Sequence, residues 1–249
     1  MLRVIKKDFI YLKVLNKVLE LFVKTAKLLL VMYFSSRMQA GRMLASMMFD
    51  KYRYENCVVV ALDDGGVMVG AQIAIQLHCI ITMMIIKEIS LPRENKALGA
   101  MTTDGKFSYN NDFSGGEIEE FVEEYRGYID EERIEKFHEI NSLLGGGGLI
   151  NANMLKHMNV ILVSDGIADG MKLDLAQEFL KPIEIESLIV ATPIASIPAI
   201  DKIHVMADAV FCLSVLDDYM NTEHYYDKND VPEHKKIIET LENIVLKWK

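Results

Sequence analysis

Cysteine is scarce in this 249-residue chain, and its three copies, Cys57, Cys79 and Cys212, are far apart and set in apolar runs. That excludes a disulfide framework and any paired-cysteine zinc pattern, and it predicts buried free thiols in a reducing cytoplasm. Positive charge is also short: 27 Lys and Arg face 36 Asp and Glu, for a net charge of −9. Phosphate backbones select basic faces, so nucleic acid is excluded as the main partner. The first segment lacks a long apolar run. Its uncharged stretch, residues 28–36, falls far short of the ~20 residues of a transmembrane helix, and no small-residue cleavage site marks a secretory signal. Gly-x-Ser-x-Gly, Walker and Gly-x-Gly-x-x-Gly motifs are absent as well.

The charge that is present is unevenly spread. Residues 1–34 carry Arg3, Lys6, Lys7, Lys13, Lys17, Lys24 and Lys27 against only Asp8 and Glu20, so an acidic body follows a basic, apolar leader. Helical spacing in the leader predicts one or two amphipathic helices. Such a helix packs on its own domain or a dimer partner, the commoner use, or lies on a membrane surface.

Beyond the leader, the pattern alternates. Residues 37–52 read as a helix. Residues 57–62 form a β-branched run typical of a strand buried on both faces, followed by a turn at 63–66 and a helix over 67–77. "CIITMMIIKEI" (79–89) reads as one buried strand ending at Lys87 and Glu88. Residues 88–116 read as loop with short strands, and 117–144 as an acidic, solvated helix stopped by glycines 145–148. Strand, turn and helix then resume: "NVILV" (159–163), a turn, a helix over 173–180, "ESLIVATPIA" (186–195), a helix over 197–206 and "AVFCLSV" (209–215). A solvated polar tail begins at Asp217 and a closing helix spans 232–248. Strands alternating with helices predict an α/β fold with a doubly wound parallel sheet. Ligands of such sheets bind at the carboxyl ends of the strands. One rim then holds residues 63–66, Lys87 with its loop, and residues 164–172.

These segments, in this order, resemble the type I phosphoribosyltransferases, and most closely a bacterial subgroup known only as predicted phosphoribosyltransferases. "SRMQAGRMLA" resembles the subgroup's opening helix. "VVVALDDGGVMVGAQIA" is similar to its first strand and pyrophosphate turn, and "MIIKEI" with "KALGAM" to its second strand and flexible loop. "VILVSDGIADGMK" resembles the phosphoribosyl-pyrophosphate loop, while "LIVATPIASIPAID" and "DDYMNTEHYYDKNDVPEH" resemble the last strands and tail. The resemblance runs from about residue 35 to the end and leaves residues 1–34 as an N-terminal helical extension. It implies a cleft for phosphoribosyl pyrophosphate or a nucleotide-like ligand, magnesium as cofactor, and a homodimer in the cytoplasm. Its chemistry would be pentosyl transfer, driven by positioning and electrostatics.

Carried over residue by residue, the resemblance puts Ser164 and Asp165 at the two ribose acids. Asp165 is then the catalytic candidate and the candidate magnesium ligand. Gly166, Ile167, Ala168, Asp169, Gly170, Met171 and Lys172 complete the loop, with Asp169 and Lys172 where the family has phosphate-binding hydroxyls. Asp63 and Asp64 replace Pro-Arg at the pyrophosphate turn, Gly65 and Gly66 are kept, and Lys87 matches the basic residue after the second strand. Tyr225 and Tyr226 would form a hood over a base. Asp169 is equally readable as a helix cap and Asp63-Asp64 as a plain turn. Convergence of Asp63, Asp64, Asp165 and Asp169 would instead suit Mg²⁺, Ca²⁺ or a cationic ligand. The functional alternative is a non-catalytic regulatory or scaffold protein that dimerises through the fold and offers its leader to a partner or a membrane surface.

Overall fold

The computed structural model describes residues 32–94, 96–103, 105–144, 150 and 152–246. The chain divides into two units, Met1–Tyr33 and Phe34–Lys249. Of the leader helices expected over residues 4–34, residues 4–31 lie outside the described residues and residues 32–34 are not helical, because Phe34 bridges to Tyr226 instead; the glycine turn at 145–148 and the last residues of the closing helix also lie outside the described residues. Phe34, grouped with the leader by sequence, is buried in the second unit, where its N–H donates to the Tyr225 carbonyl at 2.9 Å.

The second unit is built on five parallel strands. In chain order they are β1 (Cys57–Ala61), β2 (Ile80–Met83), β6 (Asn159–Val163), β7 (Ser187–Ser196) and β8 (Ala209–Leu216), and their spatial order is β2-β1-β6-β7-β8. Between β2 and β6 stands an antiparallel sheet of β3 (Ile86–Ser90), β4 (Ala97–Thr102) and β5 (Phe107–Tyr109). The helices are α1 (Arg37–Tyr52), α2 (Asp64–Leu77), α3 (Gly115–Leu144), α4 (Ala152–Leu155), α5 (Met171–Leu180), α6 (Ile197–Met206) and α7 (His234–Leu246).

Side chains alternate across the strands and build two cores. Val59, Ala61, Ile161 and Val163 face one cluster with Leu44 and Met48 of α1, Ile73 of α2 and Ile237 of α7. Val58, Val60, Val160 and Leu162 face the other, with Leu173 of α5, Ala199 and Ile203 of α6, and Leu155 of α4. Both faces are therefore covered, as the continuous apolar runs require.

Several boundaries differ from the sequence reading. The run 79–89 is two strands, because the chain changes partners in its middle. The Met84 N–H donates to the Ala61 carbonyl of the main sheet, and the Ile85 N–H donates to Thr103 Oγ1 beside the small sheet. The acidic helix begins earlier, at Gly115, behind a reciprocal cap: the Glu117 N–H donates to Ser114 Oγ, and the Ser114 N–H to Glu117 Oε2 at 2.7 Å. It also bends at Tyr125. Ser114→Ala is expected to cost about 1 kcal/mol in a urea titration, since one arm of the cap is lost. Nor is the tail a solvated strand of chain: Tyr225 and Tyr226 are buried, and Tyr226 bridges to Phe34.

Strand order places the site. From β1 the chain steps outward to β2, then returns to the other side of β1 as β6. The loops leaving β1 and β6 therefore part from each other, and the crevice between them is the switch point where doubly wound sheets bind ligands. Ala61 pairs with Val163 in register, so Asp63 and Asp165 stand at the same height on the carboxyl rim.

Candidate functional site

A cleft of about 340 Å³ opens at that crevice, lined by Asp63, Asp64 and Gly65 from the β1–α2 turn, Lys87 of β3, Asp165 and Lys172. Arg37, Thr222, Glu223 and His234 complete its polar lining. Three cations thus face four carboxylates.

Asp165 is the centre of the arrangement. It is 7 % exposed, and its Oδ2 accepts from Arg37 Nε at 2.6 Å. Arg37, only 2 % exposed, is itself clamped: its guanidinium stacks 4.5 Å from the Tyr226 ring centre, and Nη1 donates to Asn229 Oδ1 at 3.2 Å. The Tyr226 hydroxyl donates to the Asp165 carbonyl at 2.6 Å. Asp165 Oδ1 takes no hydrogen bond among the described residues and is not sealed from solvent, so it is free to accept one from a ligand. Gly65 makes this possible. A Cβ built there would lie 2.0 Å from Asp165 Oδ2, so only glycine lets the turn approach the carboxylate.

Burial and the neighbouring Asp63 push the Asp165 carboxyl up to about 7, against the pull of Arg37 and Lys172. A carboxyl raised in the folded state stabilises the fold at low pH, and that stability is lost as pH rises through the folded value. Wild type is therefore expected to lose roughly 2–3 kcal/mol relative to Asp165→Asn between pH 5 and pH 8, as urea titrations at the two pH values would show.

The β1–α2 turn serves the helix and the cleft at once. Asp63 caps α2, with Oδ1 accepting from the Gly66 N–H at 2.6 Å. Its Oδ2 accepts from the Ser164 hydroxyl at 2.8 Å and from Lys172 Nζ at 3.3 Å. Burial works against the charge on Lys172, but Asp63 and Glu88, 3.7 Å away, outweigh it and hold this lysine above its ordinary value. Asp64 Oδ1 sits 2.8 Å from His234 Nδ1, so a carboxylate there fixes the tautomer with the proton on Nδ1. Lys87 pairs with Glu139 of α3 at 3.3 Å.

Of the residues singled out from sequence, Asp63, Asp64, Gly65, Lys87, Asp165 and Lys172 share the cleft. Ser164 does not line it: it is 1 % exposed, with its hydroxyl shared between Asp63 Oδ2 and the Gly166 carbonyl. Gly66 lies beneath the cap, Gly166 beneath Tyr219 and Thr222. Ile167 is buried and pinned to β7, its N–H donating to the Ile194 carbonyl, and Met171 packs against Ala100 and Leu175. Ala168 and Asp169 are exposed. Asp169 does not converge with the other carboxylates. Its Oδ1 accepts from the Met171 N–H at 3.0 Å, two residues on, while Gly170 is the N-cap of α5. Lys202 of α6 lies across Gly170 and pairs with Asp174 Oδ2. Tyr225 and Tyr226 are braces rather than a hood, Tyr225 donating to the Asp218 carbonyl and Tyr226 to that of Asp165.

Sequence reasoning missed Arg37 and Lys202, and set His234 aside with the solvated tail. Arg37 had a signal. It is the first residue of α1, next to the N-cap Ser36, where the helix dipole disfavours a cation. A buried carboxylate elsewhere is a reason for it to stand there.

A doubly wound parallel sheet with an acidic loop at its switch point and a small antiparallel sheet beside it is the fold of the type I phosphoribosyltransferase kind. Residues 35–228 match the phosphoribosyl transferase domain, and the chain belongs to that family. Among solved structures it is similar to TT1426 from Thermus thermophilus, with a TM-score of 0.60 and 23 % identity over 87 % of this chain and 99 % of that one. It is more distantly similar to a hypoxanthine phosphoribosyltransferase from Staphylococcus aureus, with a TM-score of 0.43 and 13 % identity over 73 % of each chain. The first likeness establishes the fold; the second bears no weight here.

Members of this family commonly use magnesium. The donor set of this cleft does not fit a resident ion. Magnesium takes carboxylate and water oxygens, yet both Asp63 oxygens accept hydrogen bonds, Asp64 Oδ1 faces His234, and the open Asp165 Oδ1 belongs to a carboxylate already paired with Arg37, whose positive charge opposes a second cation. Among the described residues no three His, Cys, Asp or Glu side chains form a metal-binding group. No helix among them is long and apolar enough to cross a membrane, and Cys57, Cys79 and Cys212 are free thiols, the last only half-buried.

Proposed function

We propose that this protein binds a phosphoribosyl or nucleotide-like ligand in the crevice between β1 and β6. The observation that carries the reading is the Asp165 carboxylate, locked through Oδ2 by a buried arginine and open at Oδ1 toward the cleft. A ribose hydroxyl donates to such an acceptor, and the fixed geometry removes the cost of ordering it. The amides of residues 168–170, at the start of the ten-residue α5, suit the 5′-phosphate, with Lys202 lying across Gly170. Lys87 and the glycine turn at 65–66 correspond to the pyrophosphate end.

Pentosyl transfer is the reaction that such a site supports. A reading as a ligand-binding, non-catalytic protein is favoured by one observation: Asp63 and Asp64 stand where a leaving pyrophosphate needs positive charge. A cytoplasmic location accords with the free thiols. A homodimer belongs to the same proposal, and sedimentation would reveal it by a mass of two chains.

Calorimetric titration with phosphoribosyl pyrophosphate, ribose 5-phosphate and nucleoside monophosphates tests the reading. At least one should bind with micromolar affinity, and Asp165→Ala should weaken it by about a hundredfold or more, as loss of a charged hydrogen-bond acceptor implies. Absence of binding by all of them would remove the proposal. A base screen by chromatography then separates the enzyme from the binding protein.

A further inference from the structure

We infer that Cys57 and Cys79 form a two-thiolate site for one soft, thiophilic cation of the Cu(I) kind, at the rim of the sheet opposite the cleft. The site is independent of the phosphoribosyl-binding reading.

Register brings the two side chains together. β1 and β2 pair in parallel with Val58 opposite Ile80, so the residues just before them, Cys57 and Cys79, stand side by side where the strands begin. They also point the same way. Cys57, Val59 and Ala61 of β1, and Cys79 with Ile81 and Met83 of β2, alternate into one core cluster. Both are free thiols and both are buried. Their chain neighbours Asn56, His78 and Ile80 are exposed, so the pair lies one residue from solvent.

Spacing decides what the pair can hold. Neighbouring strands lie ~4.8 Å apart, and parallel neighbours on one face keep about that separation. A disulfide needs Cβ atoms about 3.8 Å apart and sulfurs at about 2.05 Å, so it would have to draw the strands together. A cation held in line between two sulfurs needs roughly twice a metal–sulfur bond of about 2.3 Å, or ~4.6 Å, which the strand spacing already supplies.

The number of donors decides which cation. Among the described residues no three His, Cys, Asp or Glu side chains form a metal-binding group, and the pair sits in an apolar cluster. Zinc, which takes four ligands, is not served there. Soft thiolates select Cu(I), which is content with two of them. Burial pushes the Cys57 thiol up to about 11 and the Cys79 thiol up to about 12, with Cys57 itself among the causes for Cys79. Both thiols therefore carry protons at neutral pH. A bound ion replaces those two protons, which leave to solvent, and no electron moves. That exchange further favours an ion with a strong preference for sulfur.

The test is titration of the full, reduced chain with Cu(I) under anaerobic conditions, in competition with a chromophoric Cu(I) chelator. One equivalent per chain should bind, and X-ray absorption should show two sulfur neighbours and no nitrogen or oxygen. Cys57→Ala and Cys79→Ala should each lower the affinity by more than about a hundredfold, the upper cost of losing only a supporting contact to a metal. Cys212→Ala should leave it unchanged. The absorption spectrum of the wild type needs no variant, so it decides the matter even if an alanine variant fails to fold. Failure of the wild type to compete with the chelator, nitrogen or oxygen around the ion, or loss of binding in Cys212→Ala instead would each overturn the inference. So would ready formation of a Cys57–Cys79 disulfide with oxidised glutathione, seen as a loss of two hydrogens by mass, because the sulfurs would then lie closer than an intervening ion requires.

Discussion

Arg37→Ala is expected to lower the unfolding free energy by roughly 3–5 kcal/mol, the range seen when one partner of a buried ion pair is removed. Two losses combine. The carboxylate of Asp165 keeps its burial and the repulsion of Asp63 but loses its closest cation. The Tyr226 ring also loses the flat group stacked on it. The pH dependence separates the two. Without Arg37 the Asp165 carboxyl rises above its wild-type value of about 7, so the variant keeps losing stability above neutral pH, where the wild type has levelled off. Urea titrations should therefore show a larger deficit at pH 8.5 than at pH 5.5. Arg37→Met, which keeps much of the volume, should recover part of the packing loss and still show the same pH trend. A deficit independent of pH would mean that packing alone explains Arg37.

Gly65→Val is expected to break the site from the opposite side. A Cβ at this position falls 2.0 Å from Asp165 Oδ2 and 2.3 Å from its Cγ, so the carboxylate must leave or the turn must shift. Either movement separates Asp165 from Arg37. Overpacking of a fitted interior costs roughly 1–3 kcal/mol, and disruption of the ion pair adds to it. Ligand affinity should fall with stability. The neighbouring Gly66→Ala serves as a comparison. There the obstruction is the Val163 carbonyl at 2.6 Å, so the fold should suffer while the Asp165 carboxylate stays in place. If Gly65→Val bound ligand as the wild type does, the close approach of turn and carboxylate would have no functional part.

Much of the fold was legible because both sheet faces are covered. Residues 57–61, 159–163 and 187–196 are buried almost throughout, and their β-branched runs announce it. The break within residues 79–89 was not legible. "TMMII" contains no turn residue, and only the change of partner from Ala61 to Thr103 divides it. The start of α2 was placed three residues late, because Asp-Asp-Gly-Gly reads as a turn when it is a cap and a first helical turn.

The site was legible where it lies within one loop. Asp63, Asp165 and Lys172 could be named from their positions after strands, yet their pairing could not. Asp63 answers to both readings that its sequence allows, capping through Oδ1 and facing Ser164 and Lys172 through Oδ2. Arg37 and His234 reach the cleft from the two ends of the unit, and Asn229 tethers Arg37. Pairs separated by 128 to 192 positions leave no local spacing to read.

The offset between the charges also decides how the cleft behaves. Two unit charges 4 Å apart interact by ~4 kcal/mol at an effective dielectric of 20. An unpaired Asp63 would therefore repel an approaching phosphate strongly, and Lys172, 3.3 Å from its Oδ2, is what reduces that repulsion.

The most direct measurement is a crystal structure of the protein grown with a saturating nucleoside monophosphate. The account predicts the ribose hydroxyls on Asp165 Oδ1, the phosphate at the 168–170 turn, and Arg37 still seated on Asp165 Oδ2. A ligand bound away from the β1–β6 crevice, or one that leaves Asp165 untouched, would contradict it.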